Sequence, residues 1–188
     1  KNFDPKKITH EISRFNFEIN SQAYPVAGKV FSQLKNELLS LWKSCELRAQ
    51  ALQAQVGLFG IFPTLESQML GLENFSEEAR YWLLNQNISQ QWPGGAVAFN
   101  LKGKDHLLWK HHSVLLESAC TSMQIHLSLK PDLAVALFNW AYVISAPMVA
   151  LTANSPFLFQ KDLWEENRIP AFENAVSLYG RGQGGVAG

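Results

Sequence analysis

At 188 residues, with 47% hydrophobic and 17% charged side chains, the chain can bury a sizeable core and is expected to form one α+β domain over residues 1–188, or the larger part of one. Its 16 basic residues balance its 16 acidic ones, so the long-range field gives no reason to expect a nucleic-acid backbone or an anionic membrane as partner. The 2 cysteines, Cys45 and Cys120, are too few for a disulfide framework and read as buried free thiols in a reducing, cytoplasmic compartment.

The first predicted element is a strand, because in Phe15-Asn16-Phe17-Glu18-Ile19-Asn20 apolar and polar side chains alternate and therefore face opposite sides. Tyr24 to Gly28 is a turn. From Lys29 the apolar positions Val30, Phe31, Leu34, Leu38, Leu41, Trp42, Cys45, Ala49 and Leu52 predict an amphipathic helix, with Lys35, Glu37, Lys43, Glu46 and Arg48 on its solvated face. Val56 to Phe62, apolar with Gly57 and Gly60 and closed by Pro63, reads as a buried strand. Glu66 to Phe75 is expected to be loop, and Ser76-Glu77-Glu78 to cap and open a helix running to about Asn87. A turn at Gln91 to Gly95 precedes a strand from Ala96 to Leu101, while Leu107 to Leu116 fits either element.

Met123-Gln124-Ile125-His126-Leu127-Ser128-Leu129 repeats the alternation of the first strand, and its polar row again carries chemistry. Pro131-Asp132 opens a helix. Leu133 to Ala153 carries no charge and is long enough to span a bilayer, but Asn139, Ser145 and Pro147 interrupt it, so a buried core helix ending near Ala146 is the expectation. After the Asn154-Ser155-Pro156 loop, Asp162-Leu163-Trp164-Glu165 has capping-box spacing for a last helix that Pro170 would kink or delay. The opening at Lys1 and the glycine-rich run Gly180 to Gly185 suggest a fragment.

Glu18 with Asn16 and Asn20, and Glu11 seven residues earlier, form an oxygen-donor set suited to Mg²⁺. The alternative is that both carboxylates are plain surface charges. Gln124 and His126 share a strand face and can touch one ligand, although a lone strand histidine is more often structural. His106, His111 and His112 match no standard zinc spacing. There is no Gly-x-Ser-x-Gly elbow and no phosphate-binding Gly-Lys-Ser/Thr loop, and Arg168, taken alone, reads as a surface or salt-bridged residue.

In order, Ile12-Ser13-Arg14-Phe15-Asn16-Phe17-Glu18-Ile19-Asn20, Pro63-Thr64-Leu65, Leu72-Glu73-Asn74, Thr121-Ser122-Met123-Gln124-Ile125-His126-Leu127 and Ala150-Leu151-Thr152-Ala153-Asn154-Ser155-Pro156-Phe157 resemble the glutamate-cysteine ligase family, which includes plant-type enzymes and bacterial carboxylate-amine ligases. The resemblance implies a curved, mainly antiparallel sheet of the glutamine-synthetase catalytic type, with long helices on its outer face. It implies an ATP- and Mg²⁺-dependent reaction that joins the side-chain carboxylate of glutamate to the amine of cysteine, or a related amine, through an acyl phosphate, as in glutathione biosynthesis. It further implies Glu11, Glu18 and Gln124 as metal ligands, with Gln124 where the superfamily often has histidine. His126 and Arg168 would be catalytic and cofactor-binding, and Asn154 and Arg80 substrate contacts. The family's Glu-x-Glu strand would lie before Lys1 and its distal strands after Gly188, leaving a sheet edge for a partner chain; a homo-oligomer is one expectation. The competing reading is a family-related binding or scaffold module without catalysis.

Overall fold

Two hairpin strands rich in β-branched and aromatic residues open the fold: β1 (Ile8–His10) pairs antiparallel with β2 (Phe17–Ile19), with Thr9 opposite Glu18. The computed structural model describes residues 6–177, which fall into two compact units, residues 6–58 with 72–83 and residues 59–71 with 84–177. In the first unit, α1 (Val30–Ala51) follows the predicted periodicity, burying Cys45 and Ala49. Glu37, assigned above to the solvated face, is instead half-buried and accepts from Lys7 Nζ at 2.5 Å and from the Gln22 N–H. The segment before α2 (Ala79–Ser89) is tied to the hairpin by Arg14 N–H to Asn74 O and Ser76 N–H to Ile12 O, both 2.8 Å. Phe75 is buried there, with its ring 4.6 Å from that of Trp82.

The second unit is built on β3 (Val97–Lys102) and β4 (His106–His111), antiparallel from Val97↔His111 to Lys102↔His106. Val97, Phe99 and Leu101 alternate inward and are buried, each contributing about 1.5–3 kcal/mol, and α5 (Arg168–Ala175) packs against β3 and α3 (Leu115–Ser118). His111 joins β4 to α5, its Nε2 2.7 Å from Asn174 Oδ1 and its Nδ1 2.9 Å from Ser113 O. Burial pushes its pKa below the ordinary histidine value. His106 and His112 likewise meet Asn100 Oδ1 and Gly95 O, so all three act as hydrogen-bonded structural residues. Pro131–Leu133 forms a 3-10 turn leading into α4 (Ala134–Thr152), and β5 (Phe157–Leu158) and β6 (Lys161–Asp162) form a short hairpin.

Several expectations are corrected. The described strands form three separate two-stranded sheets rather than one curved sheet. Val56 to Phe62 is not a strand: Gly60 and Ile61 are buried but Leu58, Phe59 and Phe62 are exposed. Met123 to Leu129 belongs to no sheet, and its apolar row, Met123, Ile125, Leu127 and Leu129, is exposed together with its polar row. An apolar run or an alternation sets only where side chains tend to lie, while a ladder needs a partner with free backbone groups. On the first strand, too, Phe15 and Phe17 are exposed.

Ser76 does not cap α2, which starts at Ala79; its N–H is spent on Ile12 and its buried hydroxyl has no partner among the described residues. Asp162 lies in β6 rather than in a capping box, and the last helix starts only at Arg168, with Pro170 in its first turn, where its missing N–H costs nothing. The core-helix expectation fails in both respects: α4 continues through Pro147 to Thr152, and none of its residues is buried. Pro131–Thr152 is long and apolar enough to cross a membrane, a property that core helices of soluble proteins share. The glycine-rich run lies outside the described residues.

The β5–β6 hairpin turns on Phe159 and Gln160, both left-handed at φ 50 and 62, the geometry of a two-residue turn that favours Asn-Gly. Phe159 is held there by its ring against Trp109 at 4.8 Å, whereas Gln160 is exposed. Gln160→Gly should therefore stabilise the protein by about 1 kcal/mol, read as a higher denaturation midpoint at unchanged m. A lower midpoint would show that the turn carries no such strain.

Candidate functional site

The predicted site residues fall into two groups, one in each unit. In the first, the hairpin puts Thr9 and Glu18 side by side, so Glu18 Oε2 accepts from Thr9 Oγ1 at 3.3 Å and from Asn20 Nδ2 at 3.2 Å. Glu11 follows β1 directly and is half-buried. Burial raises its pKa above the ordinary carboxylate value, the bond from the Ile12 N–H opposes this, and the nearby charge of Glu18 adds to it. The two carboxylates are thus close enough to repel one another. Arg80, near the start of α2, lies with its guanidinium 4.5 Å from the Tyr81 ring centroid and donates to the Tyr81 hydroxyl and to His10 O. Glu11, Glu18 and Arg80, separated by up to seventy residues of chain, therefore share one neighbourhood.

The second group is built around three loops. Ser155 is buried and Asn167 is wholly so; the Asn167 N–H donates to Ser155 Oγ at 2.9 Å and its Nδ2 to Ser155 O at 2.8 Å. This locks the Asn154-Ser155-Pro156 loop to the entrance of α5. Glu166 accepts from Ser155 Oγ at 2.5 Å, from the Arg168 N–H at 3.1 Å and from Arg168 Nε at 2.7 Å, while Arg168 Nη2 closes a bidentate pair on the other carboxylate oxygen. Arg168 Nη1 donates to Thr121 O at 2.9 Å. Burial works against the charged form of Glu166, but the bonds from Arg168 and Ser155 outweigh it and hold the carboxyl below its ordinary range.

Thr121 in turn donates its N–H to Gly60 O at 3.0 Å and its hydroxyl to Phe59 O. Gly60 lies against Asn154: a Cβ there would sit 2.2 Å from Asn154 Oδ1 and 3.1 Å from Asn154 O. Gly60, Thr121, Asn154 and Arg168 are thereby one connected set. Beyond Thr121, Gln124 and His126 point the same way, as the alternation predicts, with His126 Nε2 3.2 Å from Gln124 Oε1, both exposed. Cys120, next to Thr121, is a half-buried free thiol whose pKa desolvation pushes up to about 12, and Cys45 is a buried free thiol.

Glu166, Ser155 and Thr121 were given no role from the sequence, and Gly60 was read only as a glycine of a buried strand. Ser155 and Glu166 lie eleven residues apart with a hairpin between them, and nothing in the letters announces that pairing. The one available signal was the Glu-x-Arg spacing ahead of a proline-delayed helix. Among the described residues no group of three or more His, Cys, Asp or Glu is placed to hold a metal ion. Glu11 and Glu18, both next to or within the β1–β2 hairpin, offer hard oxygens of the kind Mg²⁺ takes while retaining waters.

The profile of glutamate-cysteine ligase family 2 (GCS2) matches residues 5–178. No curated protein and no solved structure matches the chain. A match over nearly the entire sequence, through both groups of residues, settles the affiliation: the chain belongs to glutamate-cysteine ligase family 2, a family of carboxylate-amine ligases.

Proposed function

We propose that the protein is an ATP- and Mg²⁺-dependent cytoplasmic ligase that joins the side-chain carboxylate of glutamate to the amine of cysteine or a related amine, on a catalytic domain of the glutamine-synthetase type. The observation that carries this reading is the guanidinium of Arg168, fixed on three sides beside the loop of Asn154. ATP supplies the phosphoryl group that makes the glutamate carboxylate an acyl phosphate, from which phosphate leaves when the amine attacks the carbonyl and gives up a proton.

This chain's residues supply charge neutralisation and alignment. Arg168 offers N–H donors to an oxyanion, and Asn154 an amide to the amino acid. His126 offers its imidazole to a phosphoryl oxygen. Glu11 and Glu18 would hold Mg²⁺ through their carboxylates, Gln124 offers its amide oxygen as a cation ligand in its own unit, and Arg80 would contact substrate through the guanidinium edge not spent on Tyr81 and His10.

The direct test is phosphate release from ATP by the full-length protein with glutamate and a panel of amines. Amine-dependent release is expected, and none from any pair would refute the reading. Mg²⁺-dependent nucleotide affinity is also expected, and its absence would point to a binding module instead. Gly60→Ala checks the place of Asn154: its side chain must swing to clear the new Cβ, so KM for glutamate should rise about tenfold while stability falls by no more than about 1 kcal/mol. An unchanged KM would remove Asn154 from the substrate.

A further inference from the structure

The guanidinium of Arg168 has five N–H groups, of which three are committed: Nε and one of Nη2 to Glu166, and one of Nη1 to Thr121 O. The side chains of Arg168 and Glu166 are only 20% and 11% exposed, so neither is free to wander. Among the described residues, two of its N–H groups, one on each terminal nitrogen, have no acceptor. Glu166 is itself fixed, because Ser155 Oγ and the Arg168 backbone N–H donate to the same oxygen that receives Arg168 Nε. Ser155 is fixed by Asn167 in turn.

We propose that Glu166 is a positioning residue which, with Ser155 behind it, orients the Arg168 guanidinium so that this remaining N–H pair forms a fixed two-pronged receptor for an oxyanion. The inference deepens the ligase reading and rests on it for the identity of the anion, a phosphoryl group or a carboxylate, which share the geometry that a guanidinium fork fits. Glu166 touches no reactant in this scheme. It removes the rotamer freedom that an exposed arginine would lose on binding, and it does so at the cost of part of the positive charge.

That trade gives the test its sign. If Glu166 merely neutralised Arg168, then Glu166→Gln, which adds one net positive charge, would tighten anion binding. If Glu166 positions Arg168, the same change loosens binding, because an amide offers one oxygen where the carboxylate offered two. Titrations of the full-length protein with inorganic phosphate and, separately, with glutamate distinguish the two anion sources. In Glu166→Gln we expect about tenfold weaker binding of one of them, the scale of a lost charge-assisted bond. Glu166→Asp, which keeps the charge but shortens the reach, should lose less and decides the matter should Glu166→Gln fail to fold.

In the background of Arg168→Lys, Glu166→Gln should have no further effect, whereas a merely structural role would give additive losses. Unchanged or tighter binding in Glu166→Gln, additivity in the double variant, or no binding of either anion by the wild-type protein would each overturn the proposal. Turnover is read separately: anion binding with this pattern but no ATP-dependent ligation would sink the ligase reading alone, and ligation with a silent Glu166→Gln would sink the positioning role alone.

Discussion

Arg168→Ala should lower kcat/KM of the full-length enzyme by about 10²–10³-fold, the scale of losing a fixed donor to developing negative charge. It should also cost about 2–3 kcal/mol of stability at neutral pH, because it strands the mostly buried carboxylate of Glu166 without its bidentate partner. The two losses separate with pH. In the wild-type protein the folded pKa of Glu166 lies below the ordinary value of 4.5, so the folded state binds fewer protons than the unfolded one as pH falls through that region. The stabilisation from the ion pair is therefore fully present above about pH 4.5 and is lost as pH falls through the depressed folded value.

Without Arg168, desolvation acts on Glu166 with less to oppose it, and its pKa moves up instead. The gap in stability between variant and wild type should consequently be widest at neutral pH and narrow in acid. Urea denaturation at pH 7 and near pH 4 measures it. A gap that stays constant across that range would mean that the Glu166 carboxylate is not what the arginine stabilises.

Gly103→Ala is expected to be the most damaging single methyl group for the fold, at about 3 kcal/mol. A Cβ at Gly103 would lie 2.5 Å from the backbone Cα, C and O of Leu163. Unlike the Asn154 side chain facing Gly60, this obstacle cannot rotate aside. Leu163 is buried, its N–H is bonded to Pro156 O at 3.0 Å, and the same turn is stitched to β6 by the Asp105 N–H to Asp162 O at 2.6 Å. Trp164 Nε1 donates to Lys102 O at 2.8 Å across the same seam. The clash must therefore separate the β3–β4 turn from β6. A shift in denaturation midpoint of less than about 0.5 kcal/mol equivalent would show that the two hairpins are not held together in this way.

Where a residue pattern answers to local geometry, it was legible. The spacing of Val30, Leu34, Leu38, Leu41, Cys45 and Ala49 anticipated α1 nearly to the residue, because an amphipathic helix satisfies its own backbone and needs only one apolar face. The alternation of Val97, Phe99 and Leu101 anticipated β3 for a related reason: its partner β4 is next in sequence. The same alternation in Met123 to Leu129 promised a strand and delivered only the side-to-side placement of Gln124 and His126. Pro147 was expected to end α4 and did not, because a helix can lose one backbone bond and continue.

The sequence by itself determined the affiliation to the ligase family and the course of α1, since each of these is carried by residue types at short spacing. Tertiary structure alone decided that Arg80 bonds the carbonyl of His10 beside Glu11, that Gly60 must leave room for Asn154, and that Arg168 is gripped by Glu166 and Thr121, with Ser155 behind Glu166. Those contacts join positions tens of residues apart through single hydrogen bonds and close approaches. They have no periodicity, so nothing short of the folded chain could select them from the many pairings that the same letters allow.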